Sequence, residues 1–265
     1  MKVTHLLILV LVLGCVAAAG CTSAPSGTAP ATTATPQETR PHYVIGVDAN
    51  FPPFTSQDST GNFSGFDIEA ARAVAAQEGF DVTFVAVPWD MAISSLESKK
   101  IDLIWSGMTI SPERSALVNF SVPYYRVNQS IAVREGSGYT LQDFTAGKLR
   151  IGAQTGSTEA EYVQINLIDT GILPAENLTE YQDIATLTEA LVNGSVDASL
   201  VQAPTQADAI KGKPLVIIGK TGAQDSYAVA MRKADTDLQA AISRGLGRLM
   251  EDPAWQEMKK QYGLV

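Results

Sequence analysis

From Tyr43 onward the chain alternates two rhythms. Tyr43-Val44-Ile45-Gly46-Val47 is a short apolar, β-branched run, which predicts a strand. After a Pro-containing loop, Ile68, Ala71, Val74 and Ala75 recur at helical spacing over 67–77. Asp67 and Glu69 in the first turn and Gly79 just past the end mark that helix's limits. Strand, helix and strand follow at 81–87, 90–98 and 101–105, with Ile93 and Leu96 as the inward positions of the helix. Such alternation predicts α/β units.

The pattern then repeats. Residues 149–153 read as a strand, 158–166 and 184–192 as helices, and 196–200 as a closing strand. Leu96, Ile101 and Asp102 recur at the same spacing as Leu191, Val196 and Asp197, each trio running from a helix end into a strand. A last helical stretch, 237–262, is interrupted at Asp252-Pro253. Two similar α/β units imply two lobes, and a crevice between lobes suits a small ligand.

The first forty residues follow other rules. A basic head, Met1-Lys2-Val3-Thr4-His5, precedes an apolar run from Leu6 to Leu13, the layout of a secretory signal. The run is shorter than the roughly 20 residues a membrane-crossing helix needs. It ends in Ala18-Ala19-Gly20-Cys21, which resembles a lipobox, where the leader is cut and the Cys thiol lipidated. Leu13-Gly14-Cys15 is a poorer candidate, because that cut would fall inside the apolar run. Residues 1–20 are therefore expected to be a leader, Cys21 a lipid anchor, and 21–41 a tether. Residues 22–37 carry no charge and no aliphatic side chain larger than Ala, too little apolar surface to offset the entropy of ordering.

Composition removes several function classes. The net charge is −9, from 19 basic against 28 acidic residues, with no cluster of Lys or Arg, so a nucleic-acid partner is not expected. The two histidines, His5 and His42, and the two cysteines, Cys15 and Cys21, lie at the N-terminal edge. A zinc site or a His-based triad has nothing to be built from, and no metal or cofactor is expected.

Four stretches carry a more specific message. They are Phe51-Pro52-Pro53-Phe54; Gly65-Phe66-Asp67-Ile68-Glu69; Gly107-Met108-Thr109-Ile110-Ser111-Pro112-Glu113-Arg114, with Phe120 and Pro123-Tyr124 downstream; and Gly152-Ala153-Gln154-Thr155-Gly156-Ser157-Thr158. In these, in this order and at this spacing, residues 42–265 resemble the amino-acid-type (family 3) periplasmic solute-binding proteins of ABC transporters. The resemblance implies a two-lobe α/β fold, each lobe a β-sheet flanked by helices, with the ligand cleft between them. Lobe 1 would comprise 42–127 and 225–265, lobe 2 residues 128–224, with hinges near Val127-Asn128-Gln129 and Asp225-Ser226-Tyr227. It also implies an extracytoplasmic, lipid-anchored monomer that captures an amino acid or related carboxylate by lobe closure and hands it to an ABC transporter permease.

The family's site maps onto named residues. Arg114 matches the carboxylate-binding Arg, a role suited to the planar guanidinium fork. Thr109 would add a hydroxyl, and Ser106 and Gly107 backbone groups. Ser157 and Thr158 open a lobe 2 helix, where N–H groups suit an anion and where either residue also serves as a plain cap. Phe51 and Trp89 match pocket walls, Gln154 is a further contact, and Asp48 either faces the ligand side chain or forms a turn. One departure stands out: Gln202 replaces the family's ammonium-binding Asp. Either Glu159 supplies the missing counter-charge or the ligand lacks an α-ammonium. An enzyme resembling cyclohexadienyl dehydratase, with Glu159 as general acid, is the rival function on the same fold.

Overall fold

The computed structural model describes residues 40–265. The leader, Cys15, Cys21 and all but the last two residues of the expected tether lie outside the described residues.

The chain first builds β1 (His42–Val47), β2 (Asn50–Phe51), β3 (Thr55–Gln57), β4 (Phe63–Ser64), α1 (Phe66–Glu78), β5 (Asp81–Ala86), α2 (Ala92–Glu97), β6 (Leu103–Ile104), α3 (Pro112–Leu117) and β7 (Val118–Phe120). It crosses to a second lobe through β8 (Tyr125–Arg134). There it forms α4 (Leu141–Thr145), β9 (Ile151–Gln154), α5 (Thr158–Val163), β10 (Leu178–Tyr181), α6 (Ile184–Asn193), β11 (Ala198–Gln202) and α7 (Ala203–Ala209). It returns along β12 (Leu215–Tyr227) and ends with β13 (Ala230–Arg232), α8 (Thr236–Glu251) and α9 (Pro253–Gln261) in the first lobe.

Each lobe holds a five-stranded sheet, ordered β5-β1-β6-β13-β7 and β10-β9-β11-β8-β12. The two have the same plan. Three strands run parallel, and the fourth pairs antiparallel with the third and with the fifth. Strands β8 and β12 pair antiparallel, Arg134 opposite Leu215 at one end and Tyr125 opposite Tyr227 at the other. Phe54, Phe66, Val74 and Leu246 sit in the first core; Ile131, Phe144, Ile151 and Leu200 in the second.

The repeated trio is a structural device. In lobe 1, Arg232 Nη1 donates to the carbonyls of Leu96 (3.2 Å) and Ile101 (2.6 Å), and its Nη2 to Asp102 Oδ1 (2.9 Å). Asp102 Oδ2 in turn accepts from Val44 N at 3.0 Å. In lobe 2, Arg134 Nη1 donates to Leu191 O (2.9 Å) and Val196 O (2.7 Å), Nη2 meets Asp197 Oδ1 (3.3 Å), and Asp197 Oδ2 accepts from Arg150 N (3.1 Å). The same Arg clamp thus locks the helix-to-strand turn of both lobes. It also explains two shifted boundaries. The strands expected at 101–105 and 196–200 are Leu103–Ile104 and Ala198–Gln202, because Ile101 and Val196 give their carbonyls to the clamp before the strand begins.

Two further expectations are corrected. The helix expected over 158–166 is α-helical only to Val163 and continues as a π-helical turn, Gln164–Ile168, whose wider winding sends Leu167 into the lobe 2 core. The helix at 90–98 begins as a 3₁₀ turn, Trp89–Met91, before α2. The break at Asp252-Pro253 is as expected: Asp252 Oδ1 accepts from Ala254 N at 2.8 Å and Pro253 opens α9.

Candidate functional site

In each lobe the central strands run parallel, β1 with β6 and β9 with β11, and the residues at their C-terminal ends line the space between the lobes, where ligands of open α/β sheets bind. Lobe 1 contributes Phe51, Trp89, Ser106, Gly107, Thr109 and Arg114 to a cavity there; lobe 2 contributes Gln154, Ser157, Thr158, Glu159 and Gln202. Little free space is left between them, about 10 Å³, so the two lobes are nearly closed on one another.

Arg114 stands on α3, capped by Ser111 Oγ, which accepts from Arg114 N at 3.2 Å, and opened by Pro112. The side chain is buried, 8 % exposed, with its guanidinium carbon 5.5 Å from the centre of the Trp89 ring. Nη1 donates to Thr109 O and Nη2 to Gly156 O, both at 3.0 Å. Two carbonyls therefore aim the fork and leave the rest of it for a carboxylate. Burial lowers its pKa, while the charges of Glu159, Glu161, Asp225 and Glu113 oppose that shift.

Gly107 has φ +58°, and a Cβ there would lie 2.6 Å from Phe51 Cε1, so only glycine fits between the loop and the Phe51 wall. Its N–H donates to Asp67 Oδ2 at 2.7 Å, and the same oxygen accepts from Tyr124 Oη at 2.7 Å. Desolvation raises the Asp67 carboxyl to about 7. The side chain of Ser106 is committed to the scaffold: its Oγ accepts from Asp48 N (3.0 Å) and lies 2.7 Å from Thr55 Oγ1.

On lobe 2, Ser157 Oγ accepts from Ala160 N at 3.1 Å, the plain capping interaction. Thr158 Oγ1, like Thr109 Oγ1 across the cleft, is buried without a hydrogen-bond partner. Glu159 is buried at 2 % exposure with Oε1 unpartnered. Desolvation, then the charge of Asp225, pushes its carboxyl up to about 8, against the pull of Arg114 and the Gln202 amide. Gln202 ends β11 and begins α7 rather than following the strand.

Asp48 is placed beside the central cavity rather than in its lining, at a neighbouring opening with Trp89 and Asp183. Its Oδ1 accepts from Asn50 N (2.8 Å), the turn-forming role, and its Oδ2 accepts from Gln154 Nε2 of the other lobe (2.6 Å). With Arg114 to Gly156, that bond joins the lobes across the cleft. A Cβ on Gly156 (φ +71°) would come 3.1 Å from Asp90 Cα, so the lobes meet closely at a glycine.

The sequence profile of the bacterial extracellular solute-binding proteins, family 3, matches residues 43–265. The chain belongs to that family. A relative of this solute-binding protein, the lysine/arginine/ornithine-binding periplasmic protein of Escherichia coli (strain K12), is 30 % identical over 229 residues, 82 % of this chain and 86 % of the relative. An ancestral arginine-binding protein bound to arginine is 29 % identical, with a TM-score of 0.77 over 84 % of this chain and 99 % of that one. An ancestral amino-acid-binding protein, a precursor of cyclohexadienyl dehydratase, is 28 % identical, with a TM-score of 0.74 over 83 % and 95 %. Among the described residues of this solute-binding protein, no helix is long and apolar enough to cross a membrane and no His/Cys/Asp/Glu cluster could hold a metal.

Sequence reasoning missed three polar side chains that buttress the surroundings of the cavity without lining it. Asp67 read as a helix-start acid; its signal was its place inside the Gly65-Phe66-Asp67 stretch, on the buried side of α1. Gln129 and Asp225 read as hinge backbone, yet their side chains bond each other, Gln129 Nε2 to Asp225 Oδ2 at 3.1 Å, beneath the cleft. Only the expected adjacency of the two hinges hinted at that.

Proposed function

We propose that this protein is the extracytoplasmic binding component of an ABC importer and captures an amino acid or closely related small carboxylate between its lobes. The observation that carries the reading is Arg114: a buried guanidinium, aimed by Thr109 O and Gly156 O and backed by Trp89, in the lining of the cleft between the lobes. The ligand carboxylate would take the free part of the fork, with the unpartnered hydroxyls of Thr109 and Thr158 as further donors. Phe51 and Trp89 would flank the ligand side chain. Because Arg114 belongs to lobe 1 and Thr158 and Glu159 to lobe 2, binding would favour the closed arrangement by hinge motion about β8 and β12. Cys21, lipidated, would hold the monomer at the membrane surface near its permease.

A thermal-shift screen of the common L-amino acids with L-ornithine and L-cystine tests the reading. At least one should raise the melting temperature, and that ligand should shrink the radius of gyration in solution scattering. No response to any of them would refute it.

One observation favours a second reading. A carboxyl held up to about 8 inside a closed cleft is suited to act as a general acid, which a dehydratase requires. The neighbour that is a precursor of cyclohexadienyl dehydratase is itself described as amino-acid-binding, which supports binding over catalysis here. Turnover of a cyclohexadienyl acid that is lost in Glu159→Gln would reverse the choice.

A further inference from the structure

Asparagine is scarce in this chain and unevenly placed. Five of the seven asparagines, Asn62, Asn119, Asn128, Asn177 and Asn193, have Ser or Thr at the second position after them and no Pro between. Ser and Thr fill 41 of the 265 positions, so chance would supply about one such triplet among seven asparagines. The triplet is the acceptor for N-linked sugar where the Asn amide reaches solvent. The structure sorts the five. Asn128 is half-buried in the hinge strand β8, and Asn177 is half-buried in a 3₁₀ turn ahead of β10. Asn119 Nδ2 donates to Lys233 O at 3.1 Å, and Asn62 Nδ2 to Thr60 Oγ1 at 2.8 Å. Asn193 differs. It is exposed at the end of α6, where Gly194 (φ +83°) turns the chain so that Asn193 Oδ1 accepts from both Ser195 N (2.9 Å) and Ser195 Oγ (2.6 Å). The hydroxyl that defines the triplet is thus already on the amide oxygen. The amide nitrogen, on the opposite side of the planar group, donates to nothing among the described residues.

This turn can carry a bulky substituent without disturbing either fold or cleft. Its backbone is held by Arg134, on Leu191 O and Val196 O, and by Arg150 Nη2, on Gly194 O at 2.8 Å; none of these bonds uses the Asn193 side chain. Strand β11 runs from just beyond the turn to Gln202 in the cleft, five residues or about 15 Å. The turn therefore lies at the end of lobe 2 remote from the ligand. We propose that Asn193 is a site of N-linked glycosylation. Asn193 Nδ2 attacks the anomeric carbon of a sugar carried on a polyisoprenyl phosphate or diphosphate. The bond from that carbon to the phosphate oxygen breaks, the lipid phosphate leaves with the electron pair, and one Nδ2 proton passes to a base of the host's membrane oligosaccharyltransferase. Nothing is oxidised or reduced. The inference rests on the extracytoplasmic placement proposed above, because the sugar is transferred on the side to which chains are exported.

The test uses the whole chain recovered from its native host, digested and read by mass spectrometry with electron-transfer fragmentation, which keeps a sugar on its residue. The peptide holding Asn193 should carry an added mass of whole sugar residues, localised to Asn193. In the same host, Asn193→Gln and Ser195→Ala should each lose that mass, and Ser195→Thr, which restores the hydroxyl, should keep it. A bare Asn193 in the native chain refutes the proposal, as does sugar found only at other asparagines or persisting at Asn193 in Ser195→Ala. Proteolysis of intact cells separates this inference from the placement it rests on. A chain cut from outside yet bare at Asn193 overturns the glycosylation site alone. A chain protected inside the cell overturns the extracytoplasmic reading and this inference with it.

Discussion

Replacing Arg114 distinguishes a ligand anchor from a structural pin, because the side chain has the contacts of both. Arg114→Ala removes two hydrogen bonds to carbonyls, each worth about 1 kcal/mol, and a cation–π contact worth about 0.5–1 kcal/mol. Against that stands the relief of no longer burying a charge, evident in the lowered pKa of the guanidinium. The net cost to folding is therefore about 1–2 kcal/mol, or about 2–8 °C in melting temperature for a domain of this size. Binding should suffer far more. Losing the partner of a buried carboxylate costs about 2–5 kcal/mol, which is about 30- to 5,000-fold in affinity. Arg114→Lys keeps the charge but loses the two-pronged geometry, so it should fall between, at roughly tenfold. Calorimetry with the amino acid that gives the largest thermal shift, run beside thermal melts of the same samples, supplies both numbers. The reasoning fails if Arg114→Ala melts lower by the expected few degrees yet binds within threefold of the parent. Arg114 would then be a pin for Thr109 and Gly156.

Other changes probe the same cleft from different sides. Gln202→Asp should preserve or tighten amino-acid binding at pH 7; an affinity that instead falls and recovers toward pH 5 would point to a ligand without an ammonium group. Stability should decline as pH rises from about 5 to 8. Glu159 and Asp67 are raised to about 8 and about 7, so the native state holds protons that the unfolded chain has already lost. Glu159→Gln should flatten that decline, and melting curves of variant and parent running parallel from pH 5 to 8 would count against a buried protonated carboxyl. Gly107→Ala, forced to φ +58° with its Cβ against the Phe51 ring, should cost about 1–3 kcal/mol by chemical denaturation and weaken binding as well; a neutral effect on both would show that the loop relaxes freely.

Where one physical signal dominated, the sequence was legible. β1 is an uninterrupted apolar run, α1 has its apolar stripe and its Gly79 stop, and the α8–α9 break has Pro253. The residues proposed for the site, such as Thr109 and Arg114, were named from the resemblance of short stretches to the family's motifs, and the structure gathers most of them around one cavity. The long connecting strands were not legible. Arg126, Asn128, Gln129 and Ser130 mix polar and charged groups in a strand paired with β12 along its length but with β11 only from Gln129 onward, so no alternation of period two survives. Strand starts at 103 and 198 were misplaced because Arg232 and Arg134 arrive from distant parts of the chain to take the carbonyls at 101 and 196. Asp67 was undervalued because its partner, Gly107, lies forty residues away and burial of a carboxylate leaves no local trace.

The paired Arg clamps have a consequence for how the jaws move. Every ion pair found among the described residues joins groups of the same lobe. Opening the cleft therefore breaks no ion pair between protein groups. Among the described residues, what parts are the hydrogen bonds of Asp48 with Gln154 and Arg114 with Gly156, with apolar packing where Ile184 and Leu187 join the cluster of lobe 1. Each jaw carries its own Arg clamp, and the loops proposed to read the ligand hang from its rim. Substitutions at the rim that spare Arg232, Arg134 and their carboxylate partners thus leave both clamps, and the helix-to-strand turns they hold, intact.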